Sequence, residues 1–135
     1  MAEEAKLIPQ VTPELKPFFD AARNNQLAVQ KCDACGKMRF PACPVCLACD
    51  SPKASWVPVS GRGQVFSFTV MHRAYHPAIK VPYTLAVIEL KEGVKITSNV
   101  VDIEPAKVKC GMPVEVLFEK LSDEVTLPKF RPAAG

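Results

Sequence analysis

The apolar positions of this chain keep one period near its start and another from its middle onward. Leu15, Phe18, Phe19 and Ala22 recur at helical spacing, a face that reads first as packing onto the rest of the chain and second as a docking surface. Thr12-Pro13-Glu14 ahead of them reads as a helix start. Thr12 can cap, Pro13 fits the first turn, and Glu14 suits the positive end of the dipole. The pattern predicts a helix from Thr12 to about Asn24-Asn25, after an extended lead-in over residues 1–11, with Pro17 tolerated near its beginning. From Trp56 the period becomes two. Val65–Met71 places Phe66, Phe68 and Val70 on one face, as a core-facing set. Tyr83–Leu90 is nearly all apolar, Val94–Val101 alternates, and Val114–Glu119 sets Val114, Val116 and Phe118 inward. Gly61-Arg62-Gly63 signals a bend or bulge, and Glu92-Gly93 a tight hairpin. Asp102–Lys109 reads as a connector of about one helical turn. Asp123-Glu124 turns into a last short strand, and Leu127-Pro128-Lys129-Phe130-Arg131-Pro132 runs out as a tail. About five short strands with a glycine kink in the first predict a small closed barrel of the OB type.

Between helix and barrel neither period holds, and cysteines take over. Cys32-Asp33-Ala34-Cys35-Gly36 is followed by Cys43-Pro44-Val45-Cys46-Leu47-Ala48-Cys49. Two residues between cysteines let the backbone turn tightly, so both sulfurs point at one centre. Two such knuckles face to face supply four thiolates in a tetrahedron, which suits Zn²⁺ at about 2.3 Å. Gly36 stands where a knuckle needs a positive φ. Two pairings of the second cluster are open, Cys43 with Cys46 or Cys46 with Cys49. The second leaves Asp50-Ser51-Pro52 to close the ribbon and Cys43 as a spare thiol, and is the pairing taken here. Disulfides or buried free thiols are the bland readings, and iron in the same cage is the rival metal. Leu27–Lys31 should enter the first knuckle as a strand and Lys37–Pro41 return from it. So small a module leans on its metal for folding free energy.

With 135 residues, 48% of them hydrophobic, the chain has enough apolar material for a real core. Seventeen basic against 14 acidic residues give a net charge of +3, too balanced for a binder of phosphate backbones. No apolar run approaches the ~20 residues that cross a bilayer. The start, Met1-Ala2-Glu3-Glu4-Ala5-Lys6, lacks the apolar core of a signal peptide. The expected setting is therefore cytoplasmic, with no membrane partner and reduced thiols.

The catalytic inventory is thin. His72 and His76 are the two histidines and sit in the loop after the first barrel strand, where they can serve as acid/base groups or simply as polar surface. Cys43 and Cys110 would need a base and an electropositive setting to act as nucleophiles; Cys110 reads as core. A nucleic-acid module needs exposed aromatics beside a basic groove. Here Phe66 and Phe68 read as core, and Lys31, Lys37, Arg39, Arg62, Arg73 and Lys80 are scattered.

The order of these parts resembles one family. It runs from a Pro-Phe helix through Cys32-x-x-Cys35-Gly36, Phe40-Pro41, Cys46-x-x-Cys49-Asp50-Ser51 and Trp56. It continues through Ser60-Gly61-Arg62-Gly63-Gln64-Val65, Pro82-Tyr83, Glu92-Gly93, Gly111-Met112-Pro113 and the Phe130-Arg131-Pro132 end. This resembles the zinc-ribbon plus OB-fold proteins that accompany thiolases, formerly a domain of unknown function. The small subunit of benzoylsuccinyl-CoA thiolase and the partners of sterol side-chain aldolases are members. The resemblance implies a mainly β chain: a helical segment over residues 1–26, a rubredoxin-like zinc ribbon over 27–55, and a five-stranded OB-fold barrel with a tail over 56–135. It implies structural zinc on Cys32, Cys35, Cys46 and Cys49. It implies a non-catalytic accessory subunit of a thiolase-fold enzyme that makes or breaks C–C bonds in acyl-CoA thioesters. Contacts to that partner or to coenzyme A are expected from Phe18, Phe19, Arg39, Arg62, His72, Arg73, Tyr75, His76, Tyr83, Phe130 and Arg131. A nucleic-acid-binding ribbon and barrel, or a stand-alone acyl-CoA-binding protein, are the alternatives. The family often carries Gly where Asp50 stands and a basic or other residue where Cys43 stands.

Overall fold

A computed structural model describes residues 9–40, 42–74 and 76–133. The lead-in over residues 1–8, Pro41, Tyr75 and the last two residues lie outside the described residues. One helix, α1 (Lys16–Arg23), precedes eight strands: β1 (Leu27–Cys32), β2 (Met38–Arg39), β3 (Ala54–Val59), β4 (Arg62–Met71), β5 (Tyr83–Leu90), β6 (Lys95–Val100), β7 (Pro113–Lys120) and β8 (Thr126–Pro132). The helix starts later than Thr12 because the carbonyl of Thr12 closes a turn with the Leu15 N–H, at 3.0 Å. Pro17 then falls in the first helical turn, where its missing N–H costs nothing.

Phe18 and Phe19 do not form the exposed docking face expected of them. They are 6% and 5% exposed. The Phe18 ring lies 5.3 Å from Phe19, 5.1 Å from Phe40 and 6.5 Å from Trp56, centroid to centroid. Side chains from the helix (Phe18, Phe19), from β1 (Leu27, Val29) and from the barrel (Ile88, Val114, Phe130) form one continuous apolar cluster.

The ribbon is a three-stranded antiparallel sheet in the order β2-β1-β3. β3 pairs with β1 from Leu27↔Val59 to Cys32↔Ala54. Trp56 and its neighbours therefore belong to the ribbon sheet, and the barrel begins at Arg62. The junction between the two is tied down. The Ser60 N–H and hydroxyl both donate to the Glu92 carboxylate, at 2.7 and 3.2 Å, and the Val116 N–H donates to the Gly61 carbonyl at 2.8 Å. Strands here approach so closely that a Cβ on Gly63 would stand 2.2 Å from the Glu89 carbonyl oxygen, which is why that position takes glycine.

The barrel closes in the order β4-β5-β6-β8-β7. β5 occupies Tyr83–Leu90 as its apolar run predicts, with Thr84, Ala86, Ile88 and Leu90 inward. Two expectations fail. The chain bends at Gly61, at φ 75, but the bulge lies further on, at Val65–Ser67: Val65 faces Ile88 and Ser67 faces Val87, leaving Phe66, expected inward, as the extra residue. Phe66 is consequently 52% exposed, with the Lys95 ammonium 4.4 Å from its ring centroid. Leu127–Pro132 is no tail. It is the body of β8, antiparallel to β7 from Val114↔Pro132 to Lys120↔Thr126, and it closes the barrel against β6 at Val100↔Phe130. Phe130 is fully buried, so it is core and not a partner contact.

Candidate metal centre

The two knuckles are built alike. The Cys32 N–H donates to the Lys37 carbonyl and the Gly36 N–H to the Cys32 carbonyl, both at 2.9 Å. The Cys46 N–H donates to the Ser51 carbonyl at 2.9 Å and the Asp50 N–H to the Cys46 carbonyl at 2.8 Å. Each turn passes through a left-handed residue just after its second cysteine, Gly36 at φ 79 and Asp50 at φ 62. Aspartate adopts that region more readily than most side chains because its short polar arm bonds locally. The second knuckle thus keeps the geometry of the first without glycine.

The sulfurs of Cys32, Cys35, Cys46 and Cys49 all lie within 4.8 Å of one another. Cys32 Sγ stands 3.5 Å from Cys49 Sγ, and Cys35 Sγ 3.7 Å from Cys46 Sγ. A regular tetrahedron with Zn–S about 2.3 Å has S–S edges of about 3.8 Å, so the cage fits the ion. It does not fit disulfides, whose sulfurs are about 2.05 Å apart. Backbone N–H groups already point at the sulfurs: Cys35 N–H at Cys32 Sγ, 3.5 Å, and Ala48 N–H at Cys46 Sγ, 3.4 Å. The Cys35 N–H is the main reason the Cys32 thiol is pulled down to about 6. The Ala48 N–H is the main reason the Cys46 thiol is also held below its ordinary value. At Cys49 the Ser51 N–H pulls down, but the neighbouring thiols, Cys32 first, and burial outweigh it and push the thiol up to about 12. Sulfurs packed this closely cannot all ionise without a cation among them. The cluster supports a structural zinc, because four protein thiolates fill a tetrahedron and leave no open position for substrate.

Cys43 is not part of the cluster. Its backbone is held from both sides instead. Its N–H donates to Gln30 Oε1, and its carbonyl accepts from Arg39 Nη2, both at 2.9 Å. Arg39 Nε donates to the same Gln30 oxygen at 2.9 Å. Arg39 is thus occupied inside the ribbon and is not a free anchor for phosphate.

The remaining expected contacts are not gathered at one place. Arg62 and Arg73 stand at opposite ends of β4, a strand whose ten residues span about 30 Å, so they cannot serve one diphosphate. His72 and Arg73 are exposed in the loop after β4. His76 Nδ1 accepts the Ala78 N–H at 3.0 Å, a local turn bond. Tyr75 lies outside the described residues. Tyr83 is half-buried and lines a groove of about 640 Å³ at one end of the barrel, with Ile79, Leu85, Ile103, Leu121 and Leu127. Arg131 Nε donates to Glu115 Oε1 across β8 and β7 at 3.0 Å. Cys110 is exposed rather than core, since it sits in the turn before β7. Besides Phe66, Val45 and Val81, two leucines face solvent that the sequence pattern does not single out: Leu47 at the tip of the second knuckle, 87% exposed, and Leu85 on the outer face of β5, 37%. Leu47 was open to inference, because the two residues inside a four-residue knuckle have no core to reach.

The comparisons with known proteins agree with this geometry. Residues 19–53 match the family model for the rubredoxin-like zinc ribbon domain of ChsH2, and residues 56–119 match its C-terminal OB-fold domain. A solved chain described as the Ltp2-ChsH2(DUF35) aldolase is 40% identical with a TM-score of 0.84, over 93% of this chain and 99% of that one. This chain belongs to the DUF35 family. Among curated relatives, a probable enoyl-CoA hydratase alpha subunit of Thermomonospora curvata is 40% identical over 93% of this chain. The match spans only 39% of that longer relative. The benzoylsuccinyl-CoA thiolase subunit BbsA of Thauera aromatica is 28% identical, over 85% of this chain and 86% of BbsA. In this DUF35 chain, no helix of the described residues is long and apolar enough to cross a membrane.

Proposed function

We propose that this chain is a non-catalytic, zinc-holding accessory subunit of a thiolase-type enzyme that makes or breaks C–C bonds in acyl-CoA thioesters. The observation that carries the reading is the 40% identity and full-length fit to the DUF35 chain of a solved aldolase. The chemistry of the chain agrees. Its metal cage, filled by four cysteine sulfurs, leaves no open position for substrate. Zinc on Cys32, Cys35, Cys46 and Cys49 is structural in this reading. A thiolase-fold partner supplies the nucleophile and the base. The partner meets the exposed apolar side chains Leu47, Phe66 and Leu85. The apolar arm of coenzyme A lies along the loop leading to Tyr83. The test is C–C cleavage of an acyl-CoA by each subunit separately and by the two mixed. Turnover is expected only in the mixture, and Leu47→Asp or Phe66→Asp should weaken the complex while leaving zinc bound. Full activity from the large subunit alone, or turnover by this chain alone, would overturn the reading.

A further inference from the structure

Three cysteines compete for two ligand positions in the second knuckle. Cys43-x-x-Cys46 and Cys46-x-x-Cys49 have the same spacing, and either pair meets the stereochemistry of a tetrahedral thiolate site. The spacing alone does not choose between them, yet only the second pair joins the cluster.

What sets Cys43 apart is how its backbone is held. Gln30 on β1 and Arg39 on β2 are partners across the ladder. Gln30 Oε1 accepts two N–H groups, from Arg39 Nε and from Cys43, each at 2.9 Å. Two donors on one atom also settle the amide's orientation, since its NH₂ end would repel both. Arg39 Nη2 then donates to the Cys43 carbonyl at 2.9 Å. The peptide units on either side of Cys43 are therefore bonded to side chains of the sheet, and the three groups form a closed ring of hydrogen bonds. Cys46, the cysteine common to both pairs, has its backbone bonds within its own knuckle, from Asp50 and to Ser51.

We propose that Gln30 and Arg39 are a register lock. They hold the Cys43 backbone against the sheet, keep its thiol out of the cage, and so assign the metal to Cys46 and Cys49. The proposal rests on the metal reading above. The two fail differently: a chain that takes up neither zinc nor cobalt(II) removes the metal reading, whereas the lock is tested by which thiols the metal covers.

The test uses the full chain loaded with cobalt(II) or zinc. Cysteines are alkylated and located by mass spectrometry, and affinity is measured by competition with a chelator. In the native chain, Cys43 and Cys110 should be modified and the other four protected. Arg39→Met and, independently, Gln30→Leu should spread protection onto Cys43 and expose part of Cys49. Gln30→Glu, which keeps the shared acceptor, should restore the native footprint. Arg39→Lys should not, because one ammonium lacks the fork that reaches both oxygens. The decisive arm is a sign reversal. Cys49→Ser alone should lose metal affinity, and Cys49→Ser with Arg39→Met should regain it by about tenfold or more, the scale on which groups behind the ligands act, with the tetrahedral cobalt spectrum restored and Cys43 now protected. A merely structural role for Arg39 makes the double variant bind no better than Cys49→Ser, and that result, or a native footprint in both lock variants, would overturn the proposal.

Discussion

In the barrel, each strand sends at least one side chain into the interior, and Val65, Ile88, Ile96, Val114 and Phe130 are each 2% exposed or less. Between Asp33 and Ser51, among the described residues, Cys46 alone is buried. The barrel is therefore held by apolar contact, and the knuckles by sulfur, backbone turns and one hydrogen-bonded ring. The base of the ribbon, Leu27 and Val29, sides with the barrel, because it shares the same apolar cluster. The line that matters for stability thus runs across the ribbon sheet, between its base and its knuckles, and not between one segment of sequence and the next.

The largest effect should come from the metal. Structural zinc in small modules is worth on the order of 10 kcal/mol of coupled folding free energy. Chelation, or Cys46→Ser, should collapse hydrogen-exchange protection over residues 32–51 while β5 and β8 keep theirs. Cys43→Ser should retain zinc. Affinity should fall as pH falls, because binding must expel protons from thiols such as Cys49, held at about 12 in the metal-free chain. Calorimetry in buffers of different ionisation enthalpy measures that release. Equal loss of protection in knuckles and barrel would erase the contrast.

Next in size is Phe130→Ala, which should lower stability by about 3–5 kcal/mol in denaturant titration, the scale set by a fully buried aromatic. Removing residues 127–135 should prevent barrel closure altogether. Gly63→Ala should cost about 1–3 kcal/mol, as overpacking does, since its methyl meets backbone at Glu89 and not a yielding side chain. The smallest effect is expected at Phe66. Phe66→Ser should change stability by less than about 0.5 kcal/mol. Oligonucleotide binding should be weak and erased by physiological salt, because a single exposed phenylalanine ring among the described residues, Phe66 beside Lys95, is no row of stacking platforms. Sub-micromolar binding at that salt would instead favour a nucleic-acid role.

The legible parts of this chain were those governed by local rules. Cysteine spacing located the cage, and the nearly all-apolar run of Tyr83–Leu90 located β5 to the residue. The bulge was hidden because an extra residue is defined by what the neighbouring strand does, and Phe66 alternates with Phe68 in the sequence whichever way it points. β8 was hidden by Pro128 and Pro132, which argue against a strand. They are tolerated because β8 meets β6 at a single position, Val100↔Phe130, leaving most N–H groups on that side without a ladder to supply. The helix face was open to both packing and docking because nothing local says that Phe40 and Trp56, far along the chain, will cover Phe18.

The ladder between β1 and β3 ends at Cys32↔Ala54. The two ends of the knuckle segment are therefore neighbours in space, joined by the same pairing that closes a simple hairpin. Topologically, residues 33–53 are a parenthesis inside a β-hairpin, open to deletion, enlargement or exchange without rerouting the rest of the chain. Replacing them with a two-residue turn such as Asn-Gly, with Cys32 made Ser, should leave a shorter protein that folds without any metal. Such a protein would separate what the knuckles contribute to partner choice from what they contribute to standing upright.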